Sequence, residues 1–384
     1  IMRGYGLSAD AHHATAPDPT GAGVARGIVA ALRDAGLEPV EIDYINAHGT
    51  GTAANDPAEW RAIQSVFGAR AAKIPVSSSK AHFGHAQGTA GVMELITTLL
   101  CMRRGLIPPT LHYAKPRPRC PVDPVGQDVP RPLQVKNVLS TNSAFSGANA
   151  AVVVSAVDVH NSPKVVEEPR IVRQGLSILG LGAVGPHGTR LEDFDQAVAC
   201  GTRLDGRVSH CNIVDFIPTA DPRGLEPSAR FLAAAAASAL SSAGIVLRGP
   251  LRERAGIFAG LLRVSPEAGI AFDDSVDERG LPRLSTTAFT KMVLNASAGA
   301  CAKLLQLKGP TSSLTTGRGT GLSVLVYAAH FLSVRPDVDL LIAGAVDEWS
   351  PRDESGQCSE GAACLVLGKS AAHPKAEILL SGWG

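Results

Sequence analysis

Two short stretches decide how this chain is read: Asn46-Ala47-His48-Gly49-Thr50-Gly51-Thr52 and Ser78-Ser79-Lys80-Ala81-His82-Phe83-Gly84-His85. Each sets a histidine in a turn of small residues just after a run of strand character, Asp43 to Asn46 and Ile74 to Ser77. Small neighbours let backbone and ligand approach closely, and strand-end loops are where chemistry collects. Upstream, Val24, Ile28, Ala31 and Leu32 fall at helical spacing until Asp34-Ala35-Gly36 closes the pattern. Between the two stretches, Asp56-Pro57-Ala58-Glu59 reads as a helix start, with Asp56 as cap and Glu59 completing a capping box. Trp60, Ile63 and Phe67 then face the core. Downstream, Val92, Leu95, Ile96 and Leu99 form the expected inward face of a helix that ends at Arg103-Arg104-Gly105. Strands alternating with helices predict α/β layering.

The 384 residues are 45% hydrophobic and 18% charged, with 36 basic against 35 acidic side chains. That length suits two or three compact units, or one large α/β enzyme. A net charge of +1 and 4% aromatics argue against a nucleic-acid binder, which needs clustered basic surface or stacking platforms. No apolar run reaches the roughly 18 residues of a membrane span, and the N-terminus lacks a signal-peptide pattern, so a cytoplasmic protein is expected. Cysteines 101, 120, 200, 211, 301, 358 and 364 form no CxxC pair and are odd in number. This disfavours a disulfide framework or a zinc site and predicts mostly buried thiols.

Residues 106 to 137 are proline-rich and irregular, and residues 150 to 156 read as a buried strand. A polar, aperiodic stretch at 158–174 reads as a linker between a first domain, 1–157, and a second, 175–384. The second repeats the α/β pattern, with helices near 191–200, 227–244, 288–306 and 320–333, and strands near 254–260, 338–345, 361–367 and 375–381. The chain also begins where it ends: Ile1-Met2-Arg3-Gly4-Tyr5-Gly6 overlays Leu379-Leu380-Ser381-Gly382-Trp383-Gly384. Three patterns are set aside. Gly180-Leu181-Gly182-Ala183-Val184-Gly185 is followed by Pro186-His187-Gly188 and not by a helix start, against a dinucleotide site. The adjacent His12-His13 has no acidic or thiol cluster beside it, so no metal is expected. Asn295-Ala296-Ser297 is a glycosylation sequon by pattern only.

The two histidine stretches, with Gly4-Tyr5-Gly6-Leu7-Ser8-Ala9-Asp10-Ala11 before them and Asn142-Ser143-Ala144-Phe145-Ser146-Gly147-Ala148-Asn149 after, resemble the C-terminal half of a β-ketoacyl synthase of the thiolase-like superfamily. Residues 175–384 resemble the N-terminal half. The resemblance there rests on the opening LSILGLGAVGPHG, on Leu307-Lys308-Gly309-Pro310 and on Ser359-Glu360-Gly361-Ala362-Ala363. The resemblance implies an α/β, thiolase-like layered fold (α-β-α-β-α), with mixed sheets covered by helices. It also implies catalytic roles for His48 and His85 with Lys80, a supporting Glu94 as partner of Lys80, a supporting Thr50, and Phe145 as gate to an acyl pocket.

The second half departs from the pattern where the family carries its nucleophile. Thr316-Gly317-Arg318-Gly319-Thr320 stands where a Thr-Ala-Cys-Ser-Ser turn is expected. Arg318 cannot attack a thioester, because its guanidinium stays protonated. A circularly permuted domain would carry the Gly-aromatic-Gly strand end once. Its presence at both ends favours a window from a tandem protein, a ketosynthase followed by a cysteine-less, chain-length-factor-like partner. The implied activity is decarboxylative Claisen condensation in polyketide or fatty acid biosynthesis, with a non-catalytic scaffold as the alternative. The implied partners are an acyl carrier protein and a ketosynthase homo- or heterodimer partner. No cofactor beyond the carrier's phosphopantetheine arm is expected, and neither nucleic acid nor membrane.

Overall fold

Glycines at alternate positions of the opening strand let a helix lie against its backbone. In β1 (Met2–Ala9), a Cβ on Gly4 or Gly6 would run into Ala35 or Gly27 of α1 (Ala22–Ala35). Side chains alternate across a strand, so both glycines face that helix. The computed structural model describes residues 1–115, 117–126, 128–156, 175–202, 206–350, 359–380 and 382, in two units, Ile1–Arg170 and Ile171–Gly384.

The N-terminal unit continues through β2 (Tyr44–Asn46), α2 (Asn55–Phe67), β3 (Val76–Ser77), α3 (Lys80–Phe83) and α4 (Ala90–Arg103). Then follow β4 (Leu106–Ile107), β5 (Arg131–Pro132), β6 (Asn137–Ser143) and β7 (Ala148–Ser155). Its sheet runs β1-β7-β6-β2-β3, with β4 and β5 as a separate ribbon. β7 pairs antiparallel with β1 and β6, and β2 pairs parallel with β6 and β3. Ile45, Leu139 and Val153 look toward Val24, Ile28, Trp60 and Ile63 on α1 and α2. Their neighbours Tyr44, Val138 and Val154 look the other way, toward Ile107, Val125, Leu95 and Met102. The period of two thus gives each strand an apolar residue for both faces.

The C-terminal unit contains β8 (Leu176–Val184), α5 (Leu191–Ala199), α6 (Pro227–Ser242), α7 (Leu251–Arg254), β9 (Ala255–Leu261), α8 (Pro266–Arg279) and α9 (Thr286–Lys291). It closes with α10 (Ala296–Leu305), β10 (Thr311–Leu314), α11 (Thr320–Val334), β11 (Leu340–Asp347), β12 (Gly361–Lys369) and β13 (Ile378–Leu380). Its sheet runs β10-β9-β11-β12-β8-β13. Apart from β13, order and strand directions copy those of the first unit. The glycine device is copied too: a Cβ on Gly180 or Gly182 would strike Ala239 or Ala235 of α6. These glycines of the G-x-G-x-x-G pattern therefore serve strand–helix packing inside β8. On the opposite face, Phe258 stacks on Tyr327 at 4.8 Å and meets Phe331 edge-on at 5.0 Å, seating α11.

Several expectations need correction. α2 begins at Asn55 with Ala54 at its N-cap and no capping side chain, so Asp56 is not the cap and Glu59 completes no capping box. In α4 three of the four expected inward residues face out: Val92, Ile96 and Leu99 are 60%, 51% and 39% exposed, while Leu95 packs against the core and Ala90, Glu94 and Thr98 are buried. The buried side of this helix carries Glu94, which bonds Lys80 after β3 and Asn142 in β6. The helix expected over 288–306 breaks into α9 and α10 around a turn at 292–295, where Asn295 takes the N-cap position. α8 lacks an apolar stripe and was not foreseen; Ser265 caps it, accepting the Ala268 N–H. The linker at 158–174, Cys358 and part of the terminal repeat lie outside the described residues. Of the described cysteines, Cys120, Cys301 and Cys364 are buried, Cys101 and Cys211 half-buried, and Cys200 exposed.

Candidate active site

β2 and β3 run parallel and end side by side, so the loops that follow them meet at one edge of the sheet. His48 follows β2 and is 4% exposed. Gly49 follows at φ 45°, a conformation that favours glycine, and a Cβ there would strike the side chain of Ser78. Lys80 opens α3 after β3, and its chain reaches back under His48. His85 lies beyond α3 and is exposed, its ring meeting that of His48 edge-on with centroids 5.4 Å apart. The structure therefore brings His48, Lys80 and His85 together across a long separation in sequence.

The buried Lys80 ammonium has three partners: the Glu94 carboxylate Oε1, the His48 carbonyl oxygen at 2.6 Å and His48 Nδ1 at 3.1 Å. An ammonium has three protons and nothing to accept with, so these contacts use it fully. His48 Nδ1 is then an acceptor on that side, which favours the ring proton on Nε2. At His85, Nδ1 accepts the Gln87 N–H at 3.3 Å, and the same reasoning gives Nε2–H. Two imidazole N–H donors thus point away from the scaffold that fixes them. Burial, then the Lys80 charge and His85, lowers the His48 pKa from 6.5 to about 3. The pKa of His85 is lowered as well, by desolvation and then by Lys80. Both rings act as neutral donors near neutral pH.

Two residues that the sequence reading did not assign to the site hold it in place. Glu59 is buried under the first loop and accepts the backbone N–H groups of His48 at 2.8 Å and Gly49 at 2.9 Å and the Thr141 hydroxyl at 2.7 Å. Desolvation raises its pKa. Its helical neighbours Ala62 and Ile63 are buried, so a carboxylate on an apolar face was the available signal. Asn142, at the end of β6, donates from Nδ2 to Glu94 Oε2 at 2.7 Å and sets Oδ1 3.2 Å from His48 Nδ1. It is the first residue of the quoted stretch 142–149, from which only Phe145 was expected to serve the site.

Thr50 bonds the Thr52 hydroxyl at 3.2 Å, and Phe145 is 39% exposed in its turn. Arg318 is exposed just before the N-cap of α11, in the other unit. That unit also holds a cavity of about 550 Å³, with an apolar floor that includes Leu181, Ala183 and Leu365. Its lining takes in residues 181–188 and 359–363 of the quoted stretches, but neither the catalytic or supporting candidates nor Arg318. Among the described residues no group of His, Cys, Asp or Glu is placed to hold a metal ion, and no helix is long and apolar enough to cross a membrane.

Comparison with known proteins follows the same division. Residues 1–114 match the β-ketoacyl synthase C-terminal domain, and residues 214–372 the β-ketoacyl synthase N-terminal domain. The 3-oxoacyl-[acyl-carrier-protein] synthase 2 of Coxiella burnetii is 42% identical over 154 residues, 40% of this chain and 37% of that protein. Nodulation protein E of Rhizobium meliloti is 43% identical over 156 residues, 41% of this chain and 38% of that protein. The chain thus spans less than two fifths of the length of these curated relatives. A solved structure, the PfaC keto synthase–chain length factor, superposes on 97% of this chain and 48% of its own, with TM-score 0.70 and 19% identity. That likeness shows the fold, which is thiolase-like.

Proposed function

We propose, for a chain built of β-ketoacyl synthase domains of the thiolase-like superfamily, that the N-terminal unit supplies the enolate-stabilising half of a decarboxylative condensing centre. The carrying observation is the His48–His85 pair, two neutral rings 5.4 Å apart, each with a donor within hydrogen-bond reach of its Nδ1. Loss of carbon dioxide from a malonyl thioester leaves negative charge on the thioester oxygen. Two pre-aimed N–H donors stabilise that oxygen without reorganising during the reaction. The enolate carbon then attacks an acyl group held as a thioester on a cysteine outside this chain, forming the new carbon–carbon bond and breaking the acyl–sulfur bond so that the cysteine leaves as its thiolate. The acyl groups arrive on the phosphopantetheine arm of an acyl carrier protein, and a ketosynthase partner completes the dimer.

The C-terminal unit is assigned a chain-length-factor-like, scaffolding part in this reading. Arg318 at the start of α11 supports it, having no lone pair to offer a thioester. So do the thiols nearest the core: burial pushes Cys364 up to about 12 and Cys301 well above its usual range, away from thiolate chemistry.

The test is product formation by the full-length protein from malonyl and acyl carrier thioesters. His48→Ala and His85→Ala should each lower turnover on the order of a hundredfold to a thousandfold, the usual consequence of losing an oxyanion donor. Arg318→Ala should retain condensation. Histidine variants that turn over normally would defeat the condensing role. An Arg318→Ala variant as silent as His48→Ala, with folding and assembly intact, would defeat the division of labour.

A further inference from the structure

His48 Nδ1 is approached by two groups that ask opposite things of it. From one side comes the Lys80 ammonium, 3.1 Å away, which can only donate. From the other comes Asn142 Oδ1, 3.2 Å away, which can only accept. The amide cannot relieve this by flipping. Its Nδ2 donates to Glu94 Oε2 at 2.7 Å, and a flip would turn a carbonyl oxygen against that carboxylate. Glu94 is itself fixed, fully buried and paired through its other oxygen with Lys80.

We propose that Asn142 is a positioning residue for His48: it competes with Lys80 for the state of Nδ1 and so sets how often Nε2 carries the ring proton. With the proton on Nε2, Nδ1 accepts from Lys80, and Asn142 Oδ1 faces a lone pair. With the proton on Nδ1, the ring donates to Asn142 Oδ1, and Lys80 keeps Glu94 and the His48 carbonyl while its third proton loses its partner. The number of ring protons is the same in both forms. The first form predominates, because the contact with the ammonium is charge-assisted and the amide contact is not. The second form is populated because Asn142 offers it a partner. Only the first presents a donor at Nε2, so under the condensing reading Asn142 moderates the strength of that donor. That clause alone depends on the proposed function.

The test reads the proton directly, on the whole chain with ¹⁵N-labelled histidine. Long-range ¹H–¹⁵N spectra report each ring nitrogen as protonated or bare, and a His48→Gln sample assigns the signals. In the wild type, Nδ1 and Nε2 should fall between the two limits, nearer Nε2–H. Asn142→Leu, close in volume, and Asn142→Ala should both move them to the Nε2–H limit. Lys80→Met should move them toward Nδ1–H, and adding Asn142→Leu to it should cancel that movement, the coupling that a double-mutant cycle isolates. Backbone amide spectra establish that each variant is folded. A wild type already at the Nε2–H limit overturns the proposal, and that reading needs no variant. So do Asn142 variants that leave the signals where they were. Neither outcome bears on condensation, which the full-length assay tests separately.

Discussion

Removal of water does more to His48 than any neighbouring charge, taking its pKa from 6.5 to about 3, with Lys80 and His85 adding to the shift. The folded-state value is depressed, so the unfolded chain binds this proton more tightly. Stability from this group is therefore present above about pH 6.5 and lost as pH falls toward 3, at about 1.4 kcal/mol per pH unit. Glu59 has the opposite sign. Its pKa is raised above 4.5, so its contribution is present in acid and lost as pH rises through the folded value. His48→Gln separates the two. Between pH 6 and 4, amide exchange in the N-terminal unit should show stability falling more steeply in the wild type than in His48→Gln, by roughly that increment per pH unit. Equal slopes would mean that the ring is solvated. Both histidines and Lys80 were legible through the resemblance of their two motifs to a known family; taken alone, a histidine among small residues or a lysine at a strand end reads as a solvated side chain. Glu59 left only the trace of a carboxylate on an apolar helix face, and Asn142 left none, since its partners His48 and Glu94 lie far away in sequence.

The glycine pairs of β1 and β8 make a prediction about packing between a strand and its helix. Gly6→Ala places a methyl on the carbonyl of Gly27, and Gly182→Ala places one on that of Ala235. Both obstacles are backbone and cannot rotate away, so each change should destabilise its own unit by about 1–3 kcal/mol, the range for overpacking. Hydrogen exchange resolved by segment checks this: protection should fall around α1 in one variant and around α6 in the other. Protection unchanged in either would show that the helix sits farther from its strand. Most strands and helices were legible because their periods of two and 3.6 are intact. α4 misled because periodicity tells which side of a helix is apolar and not what lies against it. Val92 and Ile96 are exposed, while the buried Glu94 holds Lys80 and Asn142 in the His48 network.

The two sheets share one strand order and one set of directions, which makes each unit a topological copy of the other. The copies differ in chemistry at corresponding strand ends. The first unit gathers His48, His85 and Lys80, whereas the second presents Arg318 before α11. Arg318→Cys should therefore give a thiol that iodoacetamide alkylates, because the site is exposed, but that an acyl carrier thioester leaves unmodified by mass spectrometry. Acylation there would mean that the second unit carries working machinery. The order of the halves was legible from motif positions alone. The duplication of strand order was not, because β3 and β10 are too short to stand out as periods.

The ammonium beneath His48 spends its three protons in three directions, on a carboxylate, a carbonyl and a ring nitrogen. A guanidinium keeps the charge but lies flat, with its donors confined to one plane. Lysine and arginine codons stand a single transition apart, so Lys80→Arg is among the first changes drift would sample. Here it would preserve the electrostatics and forfeit the tetrahedral arrangement, leaving one of three buried acceptors unserved. What this position demands is a valence geometry, and sign of charge alone does not supply it.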